Sequence, residues 1–212
     1  MHRLDVFDFD GTLFKTPENT PENRQKYEEA TDLPWVIDKQ RARCLSKKFG
    51  RPVGMRRGWW GRRETLEPPL VPDPAPADMF VAETRDVFLE SKADPGRLTM
   101  ILTGRHFGLR HQVLRVLGDG GLVLTEKLKS DDLHVENVDP NVVCLFLGQD
   151  GPKPKGVKPP DTLPWKIWIL EQYVEVYPGI HSIHMWEDRP EHVEAFGALN
   201  LGPEMVLHYV PN

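Results

Sequence analysis

The chain has 212 residues, 39% of them hydrophobic, and a formal net charge of −5, which suits one domain with a real core and room for an inserted lobe. Two cysteines, Cys44 and Cys144, in no metal-like spacing exclude a disulfide framework and read as reduced buried thiols. No apolar run approaches the roughly eighteen residues of a membrane span, and the N-terminus enters a predicted strand at once, so a soluble intracellular protein (cytoplasmic or nuclear) without a signal peptide is expected.

The first predicted element is a strand over Leu4 to Phe7, followed by Asp8-Phe9-Asp10-Gly11-Thr12. Side chains on a strand repeat every two residues, so Asp8 and Asp10 share a face. Carboxylates that close repel unless a cation or proton sits between them; the alternative is a strand end whose acids face water. Hard oxygen ligands on a flexible turn suit Mg²⁺ better than zinc. Gly11 permits a sharp turn and its N–H is free to face an anion. Thr16 to Pro21 is turn-rich, and Glu22 to Lys48 has helical character broken at Pro34.

Between Lys39 and Arg63 lie ten Lys or Arg and no acid, interleaved with Phe49, Trp59 and Trp60, so the remainder of the chain is strongly acidic. Pro68 to Pro76 holds five prolines in nine residues and reads as a stiff connector. A helix is predicted over Asp78 to Ser91, with Phe80, Val81, Val87 and Phe88 on one side. A buried strand over Leu98 to Leu102 delivers Thr103-Gly104-Arg105, and a helix follows to about Leu117, stopped at Gly118. Further strands are predicted at Leu122 to Leu124, Val142 to Leu147, Ile180 to Trp186 and Met205 to Val210. Helices begin near Thr162 and Pro190.

This alternation predicts an α/β, Rossmann-like, mostly parallel sheet with helices on both faces. Residues 1–212 read as a single domain, with residues 15–92 as a basic, Pro-rich, cap-like insert after the first strand. Asp8, Asp10, Thr103 and Glu187-Asp188 all fall at or just past the C-terminal ends of predicted strands, the rim where open α/β sheets bind ligands.

With these residues in place, the chain resembles a haloacid dehalogenase (HAD) superfamily phosphatase. Asp8-Phe9-Asp10-Gly11-Thr12, Leu102-Thr103-Gly104-Arg105, Lys166 and Glu187-Asp188-Arg189 follow that superfamily's motifs in order. More narrowly, it is similar to the HAD family of Swiss Army Knife RNA repair proteins, through Asp8 to Phe14, Thr16-Pro17, Gly58-Trp59-Trp60, Pro68 to Pro72, Leu102 to Arg105 and Glu187 to His192. The end-processing and ligase-like modules that the large repair proteins join to this domain are not in this chain.

The resemblance implies Mg²⁺-dependent phosphate-ester hydrolysis through an aspartyl-phosphate. Asp8 would be the nucleophile, and Asp10 the acid that protonates the leaving oxygen and then activates water. Asp8, Asp188 and the backbone carbonyl of Asp10 would hold the metal. Thr103 and the N–H of Gly104 would hold the phosphate beside a helix N-terminus, with Gly11, Thr12 and Arg105 also on the substrate. Lys166 would pair with Asp8 and the transferring group; Lys127, Lys129, Lys153, Lys155 and Lys158 are rivals, and a solvent-facing helix Lys is the bland reading. Arg189 resembles the Arg that follows the acidic pair in polynucleotide 3′-phosphatases, its alternative being to brace the loop through Glu187. His192 suits capping or hydrogen-bonding support, and His181 and His184, facing opposite sides of a strand, do not make a zinc site.

The basic 39–63 segment fits RNA or DNA ends, cations on phosphates and rings on bases, or else a solvated face with the Trp pair packing the insert onto the core. The expected function is phosphate removal from nucleic-acid ends in repair or processing. The alternatives are a phosphatase for nucleotides or sugar phosphates, and a non-catalytic RNA-binding module on a HAD scaffold.

Overall fold

The computed structural model describes residues 2–32, 34, 39–50, 58–122, 135–136, 142–147 and 162–211. Its strands are β1 (Arg3–Phe7), β2 (Arg97–His106), β3 (Val135–Glu136), β4 (Val142–Leu147), β5 (Ser182–Glu187) and β6 (Glu204–Tyr209). The helices are α1 (Pro21–Thr31), α2 (Lys39–Phe49), α3 (Ala82–Ala93), α4 (Arg110–Asp119), α5 (Thr162–Val176) and α6 (Pro190–Gly197). The sheet order is β3-β4-β2-β1-β5-β6. Five strands run parallel, and the two-residue β3 pairs antiparallel at one edge. This is the Rossmann-like α/β arrangement expected from the alternation of elements.

Period-two alternation assigns each strand residue to one of two cores. Leu4 and Val6 of β1, Leu98, Met100 and Leu102 of β2, and Ile183 and Met185 of β5 pack with Trp165, Ile169 and Leu170 of α5 and Phe196 of α6. Phe7, Ile101, Cys144 and Phe146 point the other way, against Phe88 of α3 and Val113, Val116 and Leu117 of α4. On that second face Phe7 stacks on Trp186 at 4.4 Å between centroids, Trp186 stacks on His208 at 4.2 Å, and Phe88 meets Phe7 edge-on at 5.2 Å. Asp5, also buried on this face, is held by Arg3 and Arg97.

Several boundaries differ from the sequence expectation. Strand β2 does not stop at Leu102 but pairs with β4 as far as His106, through an irregularity between Thr103 and His106. The next helix therefore begins at Arg110, after a short 3₁₀ turn over Phe107–Leu109, and Gly104 is not at its N-terminus. Gly118 lies inside α4, and the cap is Gly120, where a Cβ would stand 2.4 Å from Phe80 Cε1. Phe80 and Val81 precede α3 rather than lying along it: Phe80 bridges Phe14, and the Val81 N–H donates to Leu13 O. Cys44 is exposed, contrary to the reading of two buried thiols, while burial pushes the Cys144 thiol up. Of the expected strand at Leu122 to Leu124, only buried Leu122 is described.

The described residues of 15–92 contribute to two clusters. Leu66, Val71, Ala75, Phe80 and Phe88 belong to the same core as Phe7 and Ile101. Tyr27, Trp59 and Leu70 make a small cluster of their own. Among the described residues no helix is long and apolar enough to cross a membrane. Removing the fully buried Phe88 ring from between α3 and β1 is expected to cost about 3–5 kcal/mol. Urea midpoints of Phe88→Ala should show that loss, while Val176→Ala at an exposed helix end should change stability by less than about 0.5 kcal/mol.

Candidate active site

Asp8 is the first residue past β1, and its N–H still pairs with Trp186 O of the neighbouring strand. By strand parity it shares the side of Leu4 and Val6, where α5 packs. The buried face of α5 includes Trp165, Lys166, Ile169 and Leu170, so Lys166 enters the sheet rim along an apolar stripe. Its ammonium, with no exposed surface, lies 2.8 Å from Asp8 Oδ1 and donates to Glu187 Oε2 at 2.8 Å. The rivals Lys127, Lys129, Lys153, Lys155 and Lys158 lie outside the described residues.

Glu187, at the end of β5, is saturated with donors. Besides Lys166 it receives Arg189 Nε on Oε1 at 3.1 Å, and His192 Nδ1 lies 3.2 Å from Oε2. Burial opposes ionisation of Glu187, but His192, Lys166 and Arg189 together hold its carboxyl well below the usual range. Asp8 has the opposite balance. Burial pushes it up to about 7, against the pull of Lys166 and Arg189. Arg189 reaches both acids, its Nη2 lying 3.8 Å from Asp8 Oδ2. His192 thus supports Glu187, as hydrogen bonding was expected to, and its N–H also donates to Arg189 O.

Asp8, Glu187 and Asp188 bring one carboxylate oxygen each within 4.8 Å of the others, a group that could hold a metal ion. The donors fit a hard cation: all are carboxylate oxygens, and Asp8 Oδ1 is buried with an ammonium nearby but accepts no well-directed hydrogen bond. Glu187 is the least available of the three, because both its oxygens already serve Lys166, Arg189 and His192.

Asp10 is held by different groups. Thr16 Oγ1 donates to its Oδ1 at 2.6 Å, and Arg105 forks onto it through Nε at 2.9 Å from Oδ2 and Nη2 at 2.8 Å from Oδ1. The remaining Arg105 nitrogen, Nη1, donates to Trp60 O at 2.7 Å and Thr65 Oγ1 at 2.8 Å. Only 1% exposed, Arg105 spends its donors inside the protein, so the side chain expected on the substrate instead orients Asp10.

A cavity of about 770 Å³ opens over this rim. Asp8, Asp10, Asp188, Arg189, Gly11 and Gly104 reach it from the strand ends. Lys15, Thr16, Glu18 and Asn19 form the wall after β1, with Trp60 and Val81 from the segments that follow. Backbone bonds from Lys15 N to Met79 O and from Val81 N to Leu13 O stitch two of these walls together. Gly104 meets the start of α5, where a Cβ would stand 2.8 Å from Thr162 Cγ2, and Thr162 also lines the cavity. The helix end beside Gly104 is therefore that of α5.

Other expected residues sit elsewhere. Gly11 does turn the chain, with φ at 75°, but its N–H donates to Phe14 O at 2.8 Å instead of facing an anion. Thr103 is fully buried, with Oγ1 accepting from Arg105 N at 3.0 Å. Thr12 is fully buried too, and its hydroxyl makes no hydrogen bond among the described residues. Neither Thr103 nor Thr12 lines the cavity. In the sequence Thr162 reads only as a helix cap and Thr16 only as part of the Thr16-Pro17 resemblance, while Thr65 carries no signal; nothing local marks any of them as a neighbour of the site. His184 Nδ1 lies 3.2 Å from His208 Nε2 across β5 and β6.

Residues 46–200 match the HAD domain family 1 in Swiss Army Knife RNA repair proteins. The matched span contains Trp60, Arg105, Lys166 and Glu187-Asp188-Arg189, and begins after the Asp8–Phe14 segment. No solved structure gives a significant match to the chain. With the match spanning well over half the sequence, and with an α/β sheet whose rim gathers the acids and the buried lysine, the chain belongs to HAD domain family 1 of the Swiss Army Knife RNA repair proteins.

Proposed function

We propose that the protein is a Mg²⁺-dependent phosphohydrolase that works through an aspartyl-phosphate and removes phosphate from nucleic-acid ends, RNA ends foremost. The observation that carries this reading is Asp8 at the strand end, pinned by a fully buried Lys166 and sharing one cavity with a separately held second acid, Asp10. Family membership among RNA repair proteins and the basic 39–63 segment support the choice of substrate.

Asp8 and Asp188, with the backbone carbonyl of Asp10, would hold Mg²⁺. When bound, the ion offsets the clustered carboxylates and neutralises charge on the transferring phosphoryl oxygens. Lys166 fixes Asp8 through Oδ1, which leaves Oδ2 to attack phosphorus. The bond from phosphorus to the ester oxygen breaks as that oxygen takes a proton from Asp10. Water then attacks the phosphoryl group on Asp8, gives its proton to the Asp10 carboxylate, and releases phosphate with Asp8 restored. Arg105 and Thr16 hold Asp10 in place for both proton transfers. Arg189, half-buried at the cavity wall and 3.8 Å from Asp8 Oδ2, would meet the equatorial phosphoryl oxygens.

A phosphatase assay on an aryl phosphate and on 3′- and 5′-phosphorylated oligonucleotides tests the reading directly. Phosphate release should need Mg²⁺ and fall by at least about a thousandfold in Asp8→Asn; undiminished turnover in that variant would remove Asp8 from the mechanism. Mg²⁺ affinity should also depend on pH. A cation binds ionised Asp8, whose carboxyl is raised to about 7 in the metal-free protein, so below that value each ion must displace a proton. Calorimetric titration should show affinity falling about tenfold per pH unit below about 7 and levelling off above it. Lys166→Met would leave Asp8 and Glu187 buried without their shared cation. It is expected to lose activity and about 3–5 kcal/mol of stability near neutral pH, read by denaturant unfolding.

A further inference from the structure

Trp59 and Trp60 are adjacent in sequence and opposite in use. Trp59 is 3% exposed, packs with Tyr27 and Leu70, and donates Nε1 to Pro17 O at 2.8 Å. It is the packing member of the pair. Trp60 is 46% exposed, one of few large apolar side chains so exposed among the described residues, and it forms part of the cavity wall that Asp8, Asp10 and Asp188 share. An indole left at a polar cavity forgoes the burial that normally places such rings inside.

Arg105 contacts both the backbone and the ring of Trp60. Arg105 Nη1 bonds the Trp60 carbonyl at 2.7 Å, and the same guanidinium carbon lies over the indole, 5.3 Å from its centroid. Because that guanidinium forks onto Asp10, the indole and the proton-transferring acid are set by one rigid group. A cavity of about 770 Å³ is far larger than a phosphate alone requires. What remains is a pre-oriented aromatic surface at a fixed place relative to the reacting acids.

We propose that Trp60 is a stacking platform for the nucleobase of the nucleotide that carries the scissile phosphate, and so a specificity determinant of the site. This rests on the phosphatase reading above. Stacking uses the π-face that every base has, so the platform selects for the presence of a base over its identity. The preferred substrates are phosphorylated nucleotides or nucleic-acid ends with an intact terminal base; phosphates of aliphatic alcohols and baseless sugars would use the same chemistry without this contact.

The test compares wild type, Trp60→Phe and Trp60→Leu on three Mg²⁺-supplemented substrates: a phosphorylated ribo-oligonucleotide, the same oligonucleotide with an abasic terminal residue, and glycerol phosphate. For Trp60→Leu, kcat/KM on the base-bearing end should drop about tenfold or more, through KM, with Trp60→Phe retaining part of it. Turnover of the abasic end and of glycerol phosphate should fall several-fold less than that of the base-bearing end. Equal losses on all three substrates would overturn the proposal, since Trp60 would then act only through Arg105 and Asp10, and so would no loss on any. Quenching of indole fluorescence by a nucleoside monophosphate, but not by ribose phosphate, reads stacking without turnover and should vanish in Trp60→Phe. Wild-type inactivity on every phosphate would overturn the phosphatase reading alone, whereas quenching that persists in Trp60→Phe would overturn this one.

Discussion

The site depends on one buried cation. Lys166 has no exposed surface and sits between Asp8 and Glu187 at 2.8 Å from each. An ammonium taken out of water is stable only if paired and hydrogen-bonded, and two buried carboxylates this close are stable only with a cation between them. The three groups therefore require one another. Since Asp8 follows β1, Glu187 ends β5 and Lys166 is on the buried face of α5, the requirement also ties two central strands to a covering helix at the rim where they meet.

The two acids of that trio are tuned apart. Glu187 collects donors from Lys166, Arg189 and His192 and is held ionised. Asp8 receives only longer or less well-directed attraction, and burial raises its carboxyl. Glu187 is thereby a fixed counter-charge, while Asp8 Oδ1 accepts no well-directed hydrogen bond among the described residues. Carboxylates with environments pushed apart in this way commonly divide structural from chemical work.

A second buried cation, Arg105, organises the other half of the site. It holds Asp10, the Trp60 carbonyl and the Thr65 hydroxyl together, and so connects the end of the basic stretch and the turn that follows it to the acid after β1. Lys166 sets one carboxylate of the rim and Arg105 sets the other. The planar guanidinium fork suits a bidentate carboxylate contact that an ammonium could not make.

The sheet class, and the placing of Asp8, Asp10 and Asp188 at or just past the C-terminal ends of strands, were legible in the sequence, whereas Lys166 was singled out only by the family resemblance. Apolar runs with period two or a helical repeat leave a local signature, and acids just past strand ends stand out against it. The boundaries that differ share a cause. Where β2 runs on to His106 and α4 starts only at Arg110, pairing with β4 overrides the local turn signal of Thr103-Gly104. Likewise Phe80 looked helical by spacing and is instead fixed by its bridge to Phe14.

By itself the sequence determined which residue types reach the rim, because that depends on local periodicity and on the chain order of strands. Only the tertiary structure decided how their donors and acceptors are shared. Arg105 turned from the substrate to Asp10, the Gly11 N–H turned from an anion to Phe14 O, and adjacent Trp59 and Trp60 took opposite environments. Hydrogen-bond partnership and burial are set by groups up to 95 residues apart along the chain, and no local pattern encodes which of them will arrive first at a given donor.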